Sequence, residues 1–336
     1  MTSQSDAHAM KLLDLPLALR LKQNAIVLHS ELGLIEDARG QYSALLSNIV
    51  FPRGLHTLLA HVDDNDVVGQ FRYRQGEANA HLVYLAPTLA ESESDTIWLH
   101  MLDSMAEQAG RSGAQTLLGE VDPKHRLFET MRQAGYAVYS RQVVWQRAPL
   151  AGGMARSTLT VKPEAQDDDI GIAALLGCTI PRIMQSVMGP SPDMQGLVYR
   201  RDGQIEAYLA YSEGKHGVYL LPFVHPEVLS EAPDILAAAM QNIDRCRKLP
   251  IYICVRGYQG WLENAARDLG FAPMLEQAVM VKHLTAGVRQ ASFERVDISA
   301  RGRRKAAANL PMVKVSAEGA TGQQAYTVVS DSPKRV

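Results

Sequence analysis

The chain has 336 residues, 46% hydrophobic and 21% charged, which is the composition of a folded protein with room for two domains. Its formal net charge is −2, but residues 285–336 carry nine Lys/Arg and four Asp/Glu, so the remainder has a charge of −7. An acidic body excludes a general nucleic-acid-binding role, because phosphate contacts need a surplus of positive charge.

Targeting and metal-binding signals are absent from the sequence. The first residues lack the charged, apolar and small-residue order of a secretory signal, and no run approaches the roughly 18 apolar residues of a membrane helix. Three cysteines with no paired spacing suit a reducing compartment and predict no metal site. We therefore expect a cytoplasmic protein.

The first half of the chain predicts a hairpin, a strand, a long helix, a strand, a shorter helix and a last strand. Polar turn residues separate the hairpin strands, and apolar residues at helical spacing mark the long helix. A glycine followed by an aromatic residue, Gly135-Tyr136, ends the second helix. The predicted bounds are Leu58–Val62, Val67–Tyr73, Ala80–Ala86, Thr96–Ala109, Gln115–Val121, about 123–134, and Ala137–Gln146.

The second half repeats that order. Its hairpin turn is Arg201-Asp202-Gly203, its central strand is expected to end before Pro222, and Gly270-Phe271 takes the place of Gly135-Tyr136. The predicted bounds are Gly196–Arg200, Gln204–Tyr211, Gly217–Leu221, Pro233–Arg247, Ile251–Val255, Gln259–Leu269 and Leu275–His283.

This recurrence predicts a tandem α/β organisation. We expect an N-terminal domain at 15–147, a linker at 148–157, a C-terminal domain at 158–284 and a basic, flexible tail at 285–336. A basic run is typically a solvated tail, and the alternative is docking onto an acidic partner.

The ordered elements and the Gly-aromatic pairs resemble the GNAT (GCN5-related N-acetyltransferase) superfamily. Thr160–Ala165 followed by Asp167-Asp168 resembles the family's opening, a strand running into an Asp-capped helix. The resemblance spans about residues 15–284. It implies two tandem domains, each with a mixed, mostly antiparallel sheet flanked by helices, and acyl transfer from acetyl-CoA or another acyl-CoA to a small-molecule or peptide amine.

The resemblance further implies that acyl-CoA enters between two splayed parallel strands and that its diphosphate meets the N-terminus of the next helix. The matching loops, 87–95 and 225–234, contain no glycine and carry three carboxylates each. Like charges disfavour a diphosphate there. Asp95 and Pro233 are the residues expected simply to start the helices, as a cap and as a first-turn proline.

The family's general acid is also missing. The tyrosine expected four residues before each helix-ending glycine is replaced by Met131 and Ala266, which transfer no proton. This argues that at least one copy has lost the chemistry. By position, the second copy offers Leu220, Leu221, Ser230, Ala232 and Asp234 as candidate cofactor-binding residues.

Several polar side chains on or beside the central strands are candidate catalytic residues. His81 and Tyr84 lie on the first copy's strand, and Tyr219 and His225 lie on or after the second copy's strand, where a base would meet an acceptor amine. Packing inside or at the rim of each domain is the alternative. Glu120 is close in sequence to Asp122 and His125, as a candidate pocket edge or as solvated turn residues, and Cys254 suits a core position.

Two functions are consistent with these residues. One is an acyl-CoA-dependent N-acyltransferase with atypical cofactor loops, in which the second copy is the better candidate for binding. The other is a catalytically inactive GNAT-like binding or scaffold protein, a pseudoenzyme whose clefts take another ligand or a partner strand.

Overall fold

Thirteen strands of the described residues form one sheet with helices on both faces. The computed structural model describes residues 7–36, 54–62, 65–89, 94–149 and 157–284, all within one compact unit. The predicted tail and most of the predicted linker lie outside these ranges, and the domain boundaries stay a prediction. No helix in the described ranges is long and apolar enough to cross a membrane.

Strands and helices follow the predicted order. The strands are β1 His8–Ala9, β2 Ile26–Val27, β3 Leu55–Val62, β4 Asn65–Arg72, β5 Asn79–Ala86, β6 Thr116–Val121, β7 Ala137–Arg147, β8 Val161–Pro163, β9 Gln195–Arg201, β10 Gln204–Glu213, β11 Val218–Val224, β12 Ile251–Arg256 and β13 Ala272–His283. The α-helices are α1 Leu15–Lys22, α2 Ser30–Ile35, α3 Thr96–Ser112, α4 Leu127–Gln133, α5 Asp169–Thr179, α6 Ala232–Asn242 and α7 Leu262–Asp268.

The last strand of each copy lies in the other copy's half of the sheet. The order is β1-β3-β4-β5-β6-β13-β7-β12-β11-β10-β9-β8, with β2 against β5. Thus β13 pairs with β6 of the first copy, whereas β7 pairs with β12 of the second, and β7 and β13 pair antiparallel with each other. The two copies therefore share one continuous sheet.

A local two-fold relation passes between β7 and β13. Gln142 and Gln277 each follow a helix-ending glycine by seven residues, and they lie directly opposite each other in the ladder. The neighbouring pairs, Arg141 with Ala278 and Val143 with Glu276, exchange places under the same relation. Gly135 and Gly270 both have positive φ (85° and 79°), as predicted for glycines that end helices.

Alternation along the strands separates the core into layers. Leu117 packs with Trp98 and Met101 of α3 on one face, whereas the next residue, Leu118, joins Tyr219 and Val279 on the other. A third cluster lies under α6 and α7, and a fourth packs with α1. Met131 and Ala266, the residues in place of the expected tyrosine, are fully buried in two of these clusters.

One predicted strand end was wrong, and one predicted cap is only positional. Strand β11 does not end before Pro222 but continues to Val224. The Val218 N–H points to the Pro250 carbonyl on the β12 side, so by alternation the missing Pro222 N–H faces the same side, beyond the last β11–β12 pair. Asp95 stands at the N-cap position of α3, as predicted, but its side chain makes no capping hydrogen bond. Its carboxylate instead binds Arg126 (2.5 Å) and the Thr130 hydroxyl (3.0 Å).

The exchanged strands predict that the halves depend on each other. When residues 1–150 and 151–336 are made as separate chains, β6 and β12 each lose a partner strand and expose apolar edges. We expect neither fragment to give a cooperative unfolding transition by circular dichroism, and a mixture refolded together to restore one. Cooperative unfolding of either isolated fragment would show that each last strand can return to its own copy.

Candidate functional site

Each copy contains a pair of parallel strands that separate after three residue pairs. In the first copy β5 and β6 pair from Asn79 to His81, and in the second β11 and β12 pair from Val218 to Leu220. Beyond these residues the ladders stop, leaving an opening in the sheet. These are the positions at which the resemblance places an acyl-CoA.

The first opening is occupied by the chain's own N-terminal segment. Strand β2 pairs antiparallel with β5, placing Ile26 opposite Leu85. The next residue but one, Leu28, bridges both splayed strands: its N–H donates to the Val83 carbonyl and its carbonyl accepts from the Glu120 N–H, both at 2.9 Å. Leu28 is 1% exposed. We call residues 24–30 the inserted segment.

Contacts continue to both ends of the inserted segment. The Asn24 carbonyl accepts from the backbone N–H and the hydroxyl of Thr88 (2.7 and 2.9 Å), at the start of the loop that would face a diphosphate. At the other end, the Ser30 N–H donates to Glu120 Oε2 at 2.7 Å, and the Ser30 hydroxyl lies 2.5 Å from the same oxygen. Backbone and side chains therefore fill the polar edge that a ligand would use.

The second opening is closed by a side chain. Gln259 is 2% exposed, and its Nε2 donates to the Pro222 carbonyl at 2.9 Å. Pro222 and Val83 hold equivalent positions, because each is two residues beyond the last parallel pair. In both copies, the carbonyl that faces the opening thus already accepts a hydrogen bond from the protein. Pro222 also has no N–H to donate to a ligand.

Acidic side chains of the second loop are engaged elsewhere. Glu231 accepts from the Tyr199 hydroxyl (2.6 Å) and Arg201 (3.2 Å), and Arg201 also lies 3.5 Å from Glu227. Among the candidate cofactor-binding residues, Ser230 and Asp234 are exposed near the start of α6, whereas the other three are buried core residues: Leu220, Leu221 and Ala232.

A polar pocket lies where the two copies meet, and we call it the junction pocket. Its volume is about 350 Å³. The first copy contributes Glu120 and His81, and the second contributes Tyr219 and Arg256. The inserted segment adds His29, so the same residues that close the first opening build this pocket.

A loop of the second copy, residues 185–192, forms one wall of the junction pocket. Asn79 Nδ2 donates to the Ser186 carbonyl (2.7 Å), and Arg72 donates to the Ser191 hydroxyl (3.2 Å) and pairs with Asp193. These contacts tie the loop to strands of the first copy.

Buried amides connect the charged groups of the pocket. Arg256 donates to Gln142 Oε1, and Gln142 Nε2 donates to Gln277 Oε1 at 3.0 Å. Ser30 Oγ lies 2.6 Å from the same Gln277 oxygen and also contacts Glu120. This chain of hydrogen bonds links Glu120 on the first copy to Arg256 on the second through the local two-fold.

Ionisation in the pocket follows from burial and neighbouring charge. Burial, with nearby His29, lowers the pKa of His81 to about 3, so this imidazole is neutral at physiological pH. Burial opposes ionisation of Glu120, but His29, Arg256 and the Ser30 hydrogen bonds outweigh it and lower its pKa. Burial raises the pKa of Tyr219, so its phenol is protonated.

The four candidate catalytic residues do not form one site. His81 and Tyr219 lie in the junction pocket, although they come from different copies. Tyr84 is fully buried under the Lys22 ammonium (5.2 Å to the ring centre), with no hydrogen-bond partner for its hydroxyl among the described residues. His225 lies in a separate 560 Å³ groove beside Glu206.

His225 belongs to a cluster with metal-ligand chemistry. Ligand atoms of Glu206, His225 and Glu227 all lie within 4.8 Å of one another. Each has a protein partner: His225 Nδ1 lies 3.2 Å from Glu206, and Arg201 lies near Glu227. These contacts account for the cluster without an ion.

The residues predicted to form a pocket edge at the end of β6 line two different cavities. Glu120 faces the junction pocket, whereas Asp122 and His125 line a 630 Å³ groove beside the inserted segment. Cys254 is fully buried, as predicted for a core residue. The sequence reasoning missed His29, Arg72 and Arg256, since nothing local marks residues brought together by strand exchange.

Leu28 is predicted to anchor the inserted segment. Leu28→Ala removes a buried side chain and leaves a cavity, which lowers the free energy of unfolding by about 2–5 kcal/mol. Leu13, which is 91% exposed, provides the control, because Leu13→Ala removes no buried contact. Urea denaturation measures both, and equal stabilities of the two variants would contradict the insertion.

His81 predicts a pH dependence of stability. Its folded pKa, about 3, lies below the ordinary value of 6.5, so the unfolded chain binds more protons between these values and stability falls as pH falls through that window. His81→Gln removes the group that binds this proton. The free energy of unfolding of the variant should therefore decline less steeply from pH 6.5 to 4 than that of the wild type. His61→Gln, at an exposed histidine of β3, is the surface control; a wild-type slope in His81→Gln would refute the assignment.

Solved structures of GNAT proteins superpose on this chain. A GCN5-related N-acetyltransferase from Sphaerobacter thermophilus superposes with a TM-score of 0.53 at 12% identity, covering 84% of this chain and 97% of that one. A tandem GNAT protein from the clavulanic acid biosynthesis pathway gives 0.50 at 12%, covering 84% and 99%. A putative acetyltransferase from Pyrococcus horikoshii gives 0.50 at 13%, covering 84% and 90%.

Sequence comparison adds no relative. No protein-family model matches the chain. No curated protein matches it significantly. At these identities the structures establish the fold alone, and the fold is GNAT-like, as in the tandem GNAT protein.

Proposed function

We propose that this protein is a GNAT-fold binding protein that takes a small polar ligand in the junction pocket and does not use the first copy for acyl transfer. The observation that carries the proposal is Leu28, whose backbone joins the two strands that an acyl-CoA would have to separate. A ligand entering there would have to break both of these buried hydrogen bonds and expose a core leucine.

The second copy supports the same function by different residues. The Gln259 amide donates to the Pro222 carbonyl, and Pro233, the second residue of α6, removes a donor from the helix N-terminus. Neither copy carries a tyrosine at the family's acid position, since Met131 and Ala266 pack in the core. Pro233 therefore offers no N–H to a diphosphate, and Met131 and Ala266 offer no proton to a departing thiolate.

Acyl transfer is the alternative function, and one observation favours the second copy for it. Only a side chain enters the second opening, and a glutamine can change rotamer without unfolding a strand, whereas the inserted segment cannot leave without disrupting β2. Any acyl-CoA-dependent reaction with a small-molecule or peptide amine would therefore depend on Gln259 moving aside.

Titration with acetyl-CoA tests the proposal. We expect no heat of binding by calorimetry and no thermal shift at millimolar acetyl-CoA for the full chain. We also expect no release of free thiol from acetyl-CoA with a panel of amines. Saturable binding or turnover in the wild type would overturn the proposal.

Gln259→Ala separates the two functions if binding occurs. Removing the amide opens the second cleft without touching the junction pocket, so acyl-CoA binding there should tighten. Leu28→Ala acts on the first opening and should leave that binding unchanged. The reverse ranking would place acyl-CoA in the first copy and contradict the role given to the inserted segment.

A further inference from the structure

We propose that the junction pocket binds an amino-acid-like zwitterion, with the ligand's ammonium group on Glu120 and its carboxylate on Arg256. This inference rests on the proposed function in taking the junction pocket as the binding site. It goes further in assigning a ligand class and an orientation.

The pocket contains a carboxylate, Glu120, and a guanidinium, Arg256, that form no ion pair with each other. Among the described residues, neither Glu120 nor Arg256 has an ion-pair partner within 4.0 Å. Both nevertheless line the junction pocket, so the two charged groups are near each other across a gap that the protein does not close. The Arg256 charge also helps lower the pKa of Glu120.

The hydrogen bonds of both groups are incomplete. The Ser30 N–H donates to Glu120 Oε2, the Ser30 hydroxyl lies between that oxygen and Gln277 Oε1, and the opposite Glu120 oxygen has no partner among the described residues. Arg256 is 8% exposed and uses one nitrogen for Gln142, while its Nε is buried without a partner in the described part of the chain. Buried charges normally acquire such partners, because an unmet charge–dipole interaction costs free energy.

Size and lining restrict the ligand further. A volume of 350 Å³ is at the lower end of ligand pockets, which span about 300–1,000 Å³. Leu221 and the ring of Tyr219 give an apolar wall, and His81 is neutral. Of the other charged residues in the lining, Arg72 pairs with Asp193, Glu31 accepts from the Ser212 hydroxyl, and Glu77 is half-buried. A small molecule with one ammonium, one carboxylate and a short side chain fits this arrangement.

The hydrogen-bonded amides fix the two charges relative to each other. Gln142 holds the Arg256 guanidinium, Gln277 holds Gln142, and Ser30 joins Gln277 to Glu120. A rigid separation between the charges selects ligands by the distance between their own charged groups. The chemistry therefore favours α-amino acids over molecules that carry only one of the charges.

Thermal shift and calorimetry of the full chain with free L-amino acids, each compared with its N-acetyl and its C-amide derivative, test the proposal. We expect at least one free amino acid to raise the Tm and to bind at least about tenfold more tightly than both derivatives. The proposal is overturned if folded wild-type protein binds no free amino acid, or if the derivatives bind equally well.

Variants test the orientation. Glu120→Gln keeps the shape of the side chain and removes its charge, so it should weaken amino-acid binding by at least about tenfold while the N-acetyl form is unaffected. Glu206→Gln, a buried glutamate in the separate groove, is the matched control and should bind as the wild type does. Equal losses in the two variants would overturn the assignment of the ammonium to Glu120.

Arg256→Lys examines the carboxylate end without removing the positive charge. We expect it to weaken binding of the free amino acid and of the N-acetyl form by the same factor, because both present a carboxylate. Unchanged binding would overturn the assignment to Arg256. Binding of acetyl-CoA, by contrast, would refute only the proposed function and leave this amino-acid discrimination standing.

Discussion

Antiparallel pairing of β7 with β13 is the interaction on which the rest of the molecule depends. It carries the last strand of each copy into the other's half of the sheet, so neither copy completes its own sheet. Hydrogen bonding and burial are shared across the join, with Trp145 of the first copy packing in the second copy's core. The junction pocket exists only because this pairing brings the ends of β6 and β12 together.

The inserted segment closes the first opening and at the same time forms part of the junction pocket. Leu28 satisfies the strand edges that a ligand would otherwise meet, and the residues immediately after it, His29 and Ser30, turn towards Glu120. A strand of only two residues is enough, because Leu28, which follows it, makes buried hydrogen bonds to both splayed strands. The charged groups that remain face the second copy rather than a cofactor.

Periodic patterns in the sequence predicted most of the fold. Long helices and the Gly-aromatic pairs were readable because 3.6-residue spacing and left-handed glycines have strong local causes. Strand β11 was shortened in the prediction because a proline ends most interior strands, and only the diverging β12 makes Pro222 acceptable. The resemblance located the two openings but not what fills them.

The pocket was harder to predict, for reasons that are also physical. His81 and Tyr219 were singled out as separate candidates, and long-range pairing alone brings them into one cavity. Residues 24–30 have no alternation long enough to predict a strand. One signal was available: Gln142 and Gln277 are polar residues at the same offset from their glycines, on strands expected to be buried.

The pairing of Gln142 with Gln277 bears on how a tandem chain could arise and on why its pocket is asymmetric. A residue that meets its own equivalent across a two-fold axis must be self-complementary, and a carboxamide is, since it both donates and accepts. A single-copy relative with this glutamine would thus be suited to assemble as a strand-exchanged homodimer. Joining the copies in one chain then frees each side to differ. Glu120 has Val255 as its positional counterpart in the second copy, and Arg256 has Val121 in the first, so the pocket has a polarity that no symmetric dimer could have.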